Sequence, residues 1–185
     1  HREMASGLSM PIGYKNSTNG SATIAINAMQ AAGKPHHFLG INRDGHASIV
    51  STTGNPYGHL VLRGGSQGSN YHLEAVQEAA AELSQAGLQD RLMVDCSHAN
   101  SNKDFRRQAE VLASVAEQLR GGSNHVMGVM IESHLVEGNQ KLTADLTQLT
   151  YGQSITDACI SLETTEALLD DLAKAVPTRK QTVTA

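Results

Sequence analysis

Short apolar runs alternate with longer amphipathic stretches along this chain of 185 residues. Four of the runs have the length and apolar content of buried strands, and they cover residues 10–14, 59–62, 91–95 and 125–131. Amphipathic stretches predict helices over residues 21–32, 71–86, 103–120 and 164–176, the first three ending beside a glycine. Strands alternating with helices in this way predict an α/β fold with a parallel sheet.

An inserted hairpin is predicted between the first helix and the second strand. Residues 36–42 and 47–53 have strand-like composition and flank Asp44-Gly45, a strong turn signal. Four βα units are about half of a (β/α)8 TIM barrel, which takes roughly 250 residues. We therefore expect half of such a barrel over residues 1–176, followed by a flexible polar tail at 177–185.

Half a barrel leaves two sheet edges open, so the other half is expected either in a longer polypeptide or in a second chain. The chain begins at His1 rather than at methionine, which favours a longer polypeptide.

Composition excludes several classes of protein. The chain has 14 Lys and Arg against 18 Asp and Glu, and its aromatic content is 3%, which argues against nucleic-acid binding. No apolar run reaches the about 18 residues of a membrane span, and the first residues lack the order of a secretion signal. Two cysteines, Cys96 and Cys159, are too few for a disulfide framework and indicate a reducing compartment, the cytoplasm.

Reactive side chains stand at or just after the carboxyl end of each predicted strand: Lys15, Arg63, Asp95 with His98, and Glu132. In parallel α/β folds this edge of the sheet carries the active site. Two cations, a histidine and carboxylates on one rim predict a site for a phosphate-bearing ligand and a metal ion.

The cations Lys15 and Arg63 follow buried strands, where a positive charge is costly unless an anion meets it. A phosphate or carboxylate ligand suits both, since arginine offers a planar fork and lysine a point charge. The alternative is an internal ion pair with Asp95 or Glu132. The glycine-rich residues 64–69 after Arg63 predict a mobile loop more than a phosphate-binding loop.

A candidate metal site combines His98, Glu132 and Asp157. One nitrogen and two carboxylates suit Mn, Fe, Co or Zn. His134 and Glu137, which lie in or beside a long connection of the kind that often forms a lid, compete for the ligand role. A lone histidine can equally be a hydrogen-bonded packing residue.

Five segments, taken in order, are similar to the microbial type I 3-deoxy-D-arabino-heptulosonate 7-phosphate (DAHP) synthases. The resemblance runs from His1 to about Val176, in the carboxyl-terminal half of that family. The segments are Gly13-Tyr14-Lys15-Asn16, Leu62-Arg63-Gly64-Gly65, Asp95-Cys96-Ser97-His98-Ala99-Asn100-Ser101, Ile131-Glu132-Ser133-His134-Leu135-Val136-Glu137-Gly138-Asn139-Gln140 and Ser154-Ile155-Thr156-Asp157-Ala158-Cys159.

The resemblance implies a transferase that condenses phosphoenolpyruvate with erythrose 4-phosphate in the shikimate pathway of aromatic amino acid biosynthesis. It implies that Lys15 and Arg63 hold phosphoenolpyruvate and that His98, Glu132 and Asp157 bind a divalent metal. The family's fourth metal ligand is a cysteine on the first barrel strand, and neither that strand nor the family's upstream erythrose-phosphate segment occurs in this sequence.

The resemblance also implies feedback inhibition by an aromatic amino acid and a homo-oligomer. The matching effector positions are Met4, Leu8, Ser9, Phe38, Gly40 and Val50. Gly40 stands where phenylalanine-sensitive relatives tend to carry serine, which favours tyrosine as the effector; alternatively, Gly40 eases a strand bend.

Two functions therefore compete. The chain is part of a DAHP synthase, or it is a non-catalytic half barrel that binds anions and metal and needs a complementary amino-terminal half. Another metal-dependent aldolase on the same barrel is a third hypothesis, which consumption of pyruvate instead of phosphoenolpyruvate would distinguish.

Overall fold

The structure is a computed structural model that describes residues 1–176. Ten strands and five α-helices are found in this part of the chain. In order they are α1 (Arg2–Ser6), β1 (Ile12–Lys15), α2 (Thr23–Ala32), β2 (His37–Ile41), β3 (Ala47–Ser51), β4 (Gly58–Leu62), α3 (Leu73–Gln85), β5 (Leu92–Asp95), α4 (Gln108–Arg120), β6 (Val126–Met130), β7 (Ser133–His134), β8 (Val136–Asn139), β9 (Gln153–Ser154), β10 (Ile160–Ser161) and α5 (Leu162–Ala175).

A parallel sheet of four strands, in the order β1-β4-β5-β6, organises the fold. These are the four strands that the apolar runs predict, with ends shifted by one or two residues. The α/β class and the parallel sheet are confirmed. Every second residue points to one face of a strand, so Leu60, Leu92 and Val126 lie side by side in the register.

The hydrophobic core lies between that face and helices α2, α3 and α4. Buried residues of all three helices join the sheet residues in one cluster, including Met29, Val76, Leu83, Val111 and Val115. Leu168 and Leu172 of α5 pack against the same cluster. The opposite sheet face carries Lys15, Val61 and Met93, which are aligned in the register and lie outside this cluster.

Helix α4 begins later than the predicted residue 103. Asn102 and Lys103 have left-handed backbone angles, with φ of 54° and 60°, and cannot belong to a right-handed helix. Asp104 then caps a single 3-10 turn at Phe105–Arg107 by accepting a hydrogen bond from the backbone N–H of Arg106, and α4 follows. The loop between β5 and α4, which contains His98, is therefore longer than the sequence predicts.

Helix α5 is separated from β6 by a long connection, as predicted, but this connection contains short strands. The helix follows β10, a two-residue strand that pairs in parallel with β7. The sequence analysis missed β10 because an alternation over two residues leaves no period to detect. It also missed the short helix α1 and the pairing of β8 with β9, which folds back the long connection before β10.

The inserted hairpin is confirmed. Strands β2 and β3 pair antiparallel around Asp44-Gly45, and Gly45 has a positive φ of 81°, as a turn glycine does. Cys96 and Cys159 are both free and buried. No helix within residues 1–176 has the length and hydropathy needed to cross a bilayer. The predicted tail at 177–185 lies outside the described residues.

Candidate functional site

The carboxyl ends of the four parallel strands meet at one rim of the sheet. Lys15 is the last residue of β1 and Asp95 the last of β5, while Arg63 follows β4 directly and Glu132 comes two residues after β6. Because the strands are parallel and adjacent, all of these residues leave the sheet at the same edge.

A buried carboxylate, that of Asp95, lies at the centre of the rim. Its side chain has 0% exposure, and Oδ2 lies 2.8 Å from Lys15 Nζ and 2.9 Å from His98 Nδ1. Oδ1 accepts a hydrogen bond of 2.9 Å from the backbone N–H of Ser97. Lys15 thus has the internal ion pair that the sequence analysis kept as an alternative, whereas Arg63 meets no carboxylate within residues 1–176.

His98 is held in an uncommon backbone conformation. Its φ is 55°, in the left-handed region that non-glycine residues seldom adopt, and such residues cost about 1–3 kcal/mol each. The backbone N–H of Lys103 donates a 2.7 Å hydrogen bond to the His98 carbonyl and closes the loop. Strain of this kind persists where the surroundings fix the residue, and it is typical of ligand-binding segments.

The two ring nitrogens of His98 have different surroundings. Nδ1 lies 2.7 Å from Ser97 Oγ and 2.9 Å from Asp95 Oδ2, while Nε2 faces Glu132 Oε1 at 3.8 Å. The carboxylate oxygen of Asp95 favours the tautomer with its hydrogen on Nδ1, which would leave the lone pair on Nε2 for a ligand.

Three potential metal ligands, of which His98 is one, lie close together. Ligand atoms of His98, Glu132 and Asp157 all lie within 4.8 Å of one another. Atoms that bind one Zn-sized ion at about 2.1 Å lie at most about 4.2 Å apart, so a small inward movement brings this set onto one cation. The donor set therefore fits a divalent transition metal. His134 and Glu137 do not belong to this group among the described residues.

The donors line a small cleft of about 140 Å³, with Ser97, Ser101, Lys103, Phe105 and Ala158 on its other walls. The buried amide of Gln108 fixes the backbone of Glu132, accepting from its N–H at 2.8 Å and donating to its carbonyl at 3.1 Å. Cys159 is close to the cleft, but burial and the charges of Glu132 and Asp157 raise the pKa of its thiol.

The backbone of Arg63 is fixed on both sides by a buried network of asparagines. Asn16 Oδ1 accepts from the Arg63 N–H at 2.7 Å, and the N–H groups of Ala99 and Asn100 donate to the Arg63 carbonyl at 3.2 and 3.3 Å. Asn100 Nδ2 donates to the carbonyls of Leu62 and Asp95 at 3.0 and 2.9 Å, which joins the ends of β4 and β5.

The loops after β1 and β4 touch main chain to main chain. Ser66 N–H donates a 2.8 Å hydrogen bond to the Thr18 carbonyl, and a side chain at Gly65 would overlap the backbone of Asn19 and Gly20. Residues 64–69, expected to form a mobile loop, are therefore anchored at Gly65 and Ser66. This contact joins the loops that follow Lys15 and Arg63.

The two segments assigned to the effector site adjoin one another. Ser6 of α1 contacts Thr52, just after β3, with 2.7 Å between the hydroxyl oxygens. Met4, Leu8 and Ser9 are exposed, and Phe38, Gly40 and Val50 are half-buried on the hairpin. The space beside Gly40 is filled by the Val50 side chain, because a Cβ added at Gly40 would lie 2.6 Å from Val50 Cγ2.

The sequence indicated Asp95 as a possible ion-pair partner of Lys15, but its contact with His98 and the supporting roles of Asn16, Asn100 and Gln108 were not predicted. Asp95 and Asn16 carried a signal, since each is a buried polar residue at or just after the end of a strand of the parallel sheet. Gln108 carried none, because its contact with Glu132 spans 24 residues.

Known proteins are similar to this chain over most of its length. The model of the DAHP synthetase I family matches residues 1–170. A Tyr-sensitive phospho-2-dehydro-3-deoxyheptonate aldolase of Salmonella typhimurium is 53% identical over 174 residues, which are 94% of this chain and 49% of that protein. A Phe-sensitive enzyme of Escherichia coli is 52% identical over 180 residues, covering 97% of this chain and 51% of its own length.

A solved structure has the same fold. The phospho-2-dehydro-3-deoxyheptonate aldolase of Francisella tularensis matches with a TM-score of 0.91 and 48% sequence identity, over 97% of this chain and 52% of that one. The chain thus spans about half the length of the relatives it matches. Since the family model covers most of the described residues, this chain belongs to the DAHP synthetase I family.

Proposed function

We propose that this chain forms the carboxyl-terminal half of the catalytic barrel of a DAHP synthase. The enzyme would condense phosphoenolpyruvate with erythrose 4-phosphate and release inorganic phosphate. The observation that carries the proposal is the convergence of Lys15, Arg63 and the His98, Glu132 and Asp157 group on one rim. The identity of the two substrates is inferred from membership of the family.

The two cations suit the anionic substrate. Arg63 leaves a fixed backbone and has no carboxylate partner among residues 1–176, so its planar fork is available to a carboxylate or phosphate. Lys15 Nζ has three donors and uses one on Asp95. Its side chain is 35% exposed, so the other two donors can reach a ligand.

A divalent cation held by His98, Glu132 and Asp157 would supply a Lewis acid for the aldehyde oxygen of the sugar phosphate. Mn, Fe, Co and Zn all suit this donor set. Lys103 lines the same cleft and adds positive charge to it.

The proposed reaction forms a carbon–carbon bond and exchanges one carbon–oxygen bond at C2 for another. C3 of phosphoenolpyruvate attacks the aldehyde carbon of erythrose 4-phosphate, and a water oxygen adds at C2. The C2–O bond to phosphate then breaks and C2 becomes a ketone, while the two water protons end on the former aldehyde oxygen and on the released phosphate. Lys15 and Arg63 keep the enolpyruvate in line and balance its charge as phosphate leaves. Positioning of this kind accounts for about 7–11 kcal/mol of a barrier at best.

The half-barrel architecture is part of this proposal. Four parallel strands carry helices on one face, and among the described residues β1 pairs on one side alone, with β4. The sheet face opposite these helices and the free edge of β1 suit closure by four further βα units. The remaining length of the relatives is sufficient to supply them.

A non-catalytic half barrel is the second candidate, and one observation favours it: the described metal group has three protein ligands, whereas the resemblance implies a fourth from a strand absent here. Such a chain would bind anions and metal and would not turn over.

Complementation separates the two candidates. We would produce the 185-residue chain alone and together with the part of the Tyr-sensitive Salmonella relative that it does not match. The assay is phosphate release, with either substrate or the metal left out in turn. Release that needs both substrates and metal supports the catalytic proposal, while binding without release in both preparations supports the second candidate. Consumption of pyruvate instead would point to another aldolase.

We also propose an aromatic effector, with tyrosine favoured, at Met4, Leu8, Ser9, Phe38, Gly40 and Val50, and a cytoplasmic homo-oligomer. The effector assignment is supported by the Ser6–Thr52 contact, which brings α1 beside the hairpin. Gly40→Ser requires the Val50 side chain to move, and it should weaken inhibition by tyrosine relative to phenylalanine. Dose–response curves for both amino acids on the active enzyme test this, and unchanged curves would remove Gly40 from the effector site.

A further inference from the structure

We propose that Asp95 is a positioning residue that serves both halves of the site at once. It orients the metal ligand His98 and the anion-binding Lys15 through the same carboxylate oxygen. The inference rests on the proposed function for the identity of the two ligands, phosphoenolpyruvate and a divalent cation. The contacts that carry it belong to this chain alone.

Burial is the first argument. Asp95 has 0% exposure, and a carboxylate in such a place is costly unless charged or polar hydrogen donors surround it. It has three nitrogen neighbours: Lys15 Nζ at 2.8 Å, His98 Nδ1 at 2.9 Å and the Ser97 N–H at 2.9 Å. These three neighbours account for the buried charge, and two of them, Lys15 and His98, are candidate functional side chains.

The second argument concerns the imidazole of His98. Asp95 Oδ2 and Ser97 Oγ lie 2.9 and 2.7 Å from Nδ1, which favours a hydrogen on that nitrogen and a lone pair on Nε2. Nε2 is the atom that faces Glu132. A carboxylate behind a metal-binding histidine fixes its tautomer and ring orientation and makes it a better ligand.

Asp95 also contacts the loop that carries His98. His98 has a φ of 55°, an uncommon conformation that the hydrogen bond from the Lys103 N–H and side-chain contacts together hold in place. Asp95 restrains it from within the same turn, by contacts to both the Ser97 N–H and the His98 ring. Loss of the carboxylate should therefore loosen the metal ligand as well as change its chemistry.

Lys15 and His98 share one oxygen atom of Asp95, Oδ2. The positive charge of Lys15 offsets the negative charge of the Asp95 carboxylate, which also acts on the imidazole of His98. The two partners therefore compete for one negative charge. Removing the lysine charge should leave more of the carboxylate's field on the imidazole. Metal affinity would then rise, and it would rise more than after loss of another rim cation that does not touch Asp95.

The experiment uses the native protein that carries this chain and the variant Asp95→Asn. Mn²⁺ binding is measured without substrates by the electron paramagnetic resonance of free Mn²⁺. Phosphoenolpyruvate binding is measured in metal-free protein by calorimetry. We expect Asp95→Asn to weaken Mn²⁺ binding by about 10–100-fold, the usual effect of losing a partner behind a metal-binding histidine. It should also weaken phosphoenolpyruvate binding, because Lys15 loses its anchor.

Asp90→Asn is the matched control. Asp90 Oδ2 also lies near a histidine ring, 3.4 Å from His125 Nδ1, but at the other end of β5. It should leave both affinities unchanged. If Asp95→Asn keeps either affinity, the dual role is wrong. If the unsubstituted protein binds neither Mn²⁺ nor phosphoenolpyruvate, the proposed function fails instead.

A second comparison applies if Asp95→Asn does not fold. Lys15→Met and Arg63→Met each remove one positive charge from the rim, and only the first frees Asp95. We expect Mn²⁺ to bind several-fold more tightly to Lys15→Met than to Arg63→Met. Equal affinities would contradict the shared carboxylate, since a general loss of rim charge would then explain both.

Discussion

The two ends of strand β5 each carry an aspartate beside a histidine, and the two pairs differ in almost everything else. At the amino end, the half-exposed Asp90 lies 3.4 Å from His125, which also contacts the Asp90 carbonyl at 3.1 Å. At the carboxyl end, Asp95 is fully buried and shared with Lys15, and His98 faces Glu132. The same pair of residue types forms part of a candidate site where burial and further donors converge, and an exposed contact where they do not.

The largest expected effect is loss of metal from the carboxyl end. His98→Ala removes the one nitrogen of the donor set, and Mn²⁺ affinity should fall by more than about 100-fold. His125→Ala, at the amino end, should retain the metal content of the unsubstituted protein. Elemental analysis of both purified variants is the measurement. Full metal content in His98→Ala would exclude His98 from the ligand set.

Loss of a rim cation should come next. Arg63→Ala removes a charged partner of the enolpyruvate, worth about 2–3 kcal/mol, which is on the order of 100-fold in apparent KM for phosphoenolpyruvate. The KM for erythrose 4-phosphate should change far less. Steady-state kinetics with each substrate varied in turn test this. Equal increases in both KM values would contradict the assignment of Arg63 to the enolpyruvate.

The asparagine network sharpens the contrast in stability. Asn100→Ala leaves the carbonyls of Leu62 and Asp95 and the N–H of Asn70 without the partner they have now. We expect the free energy of unfolding to fall by about 2–4 kcal/mol. Asn124→Ala, at the exposed amino end of the sheet, should change it by less than about 0.5 kcal/mol. Urea unfolding followed by circular dichroism gives both values, and similar losses would show that the network adds nothing special.

The smallest effect concerns acid stability. Burial lowers the pKa of His59, in the amino half of β4, below its ordinary 6.5. The unfolded chain therefore takes up a proton near pH 6.5 while the folded chain does not. The stability that His59 contributes is present above that pH and is lost as the pH falls through the folded pKa. His59→Gln should flatten the decline in urea midpoint between pH 7.5 and pH 5, whereas an unchanged decline would assign it to other groups.

Much of the fold could be read from the sequence, because strands of four or five apolar residues and helices of ten or more carry a clear period. The runs at β1, β4, β5 and β6 and the helices after three of them are examples. The strand β10 escaped because it has two residues and owes its position to pairing with β7, 27 residues earlier in the chain. Pairing over such a distance leaves no local signal.

The candidate site divides in the same way. Lys15, Arg63, His98 and Glu132 stand at or after strand ends, and parallel strands carry such residues to one edge of the sheet, so their convergence was predictable. The supporting contacts were not. Whether Lys15 contacts Asp95 or a ligand depends on side-chain packing across β4. The hydrogen bonds between the Gln108 side chain and the Glu132 backbone join a helix to a loop. Their roles as functional residues stay predictions.

The main-chain contact between Gly20 and Gly65 has a consequence for how this protein could change its ligand over evolution. A side chain at position 65 would overlap the backbone after β1, so a substitution there would have to displace at least one of the two loops. Both loops follow residues that the proposed function assigns to the anion, Lys15 and Arg63. We therefore expect a change of ligand at this rim to need coordinated changes in two loops that are distant in sequence.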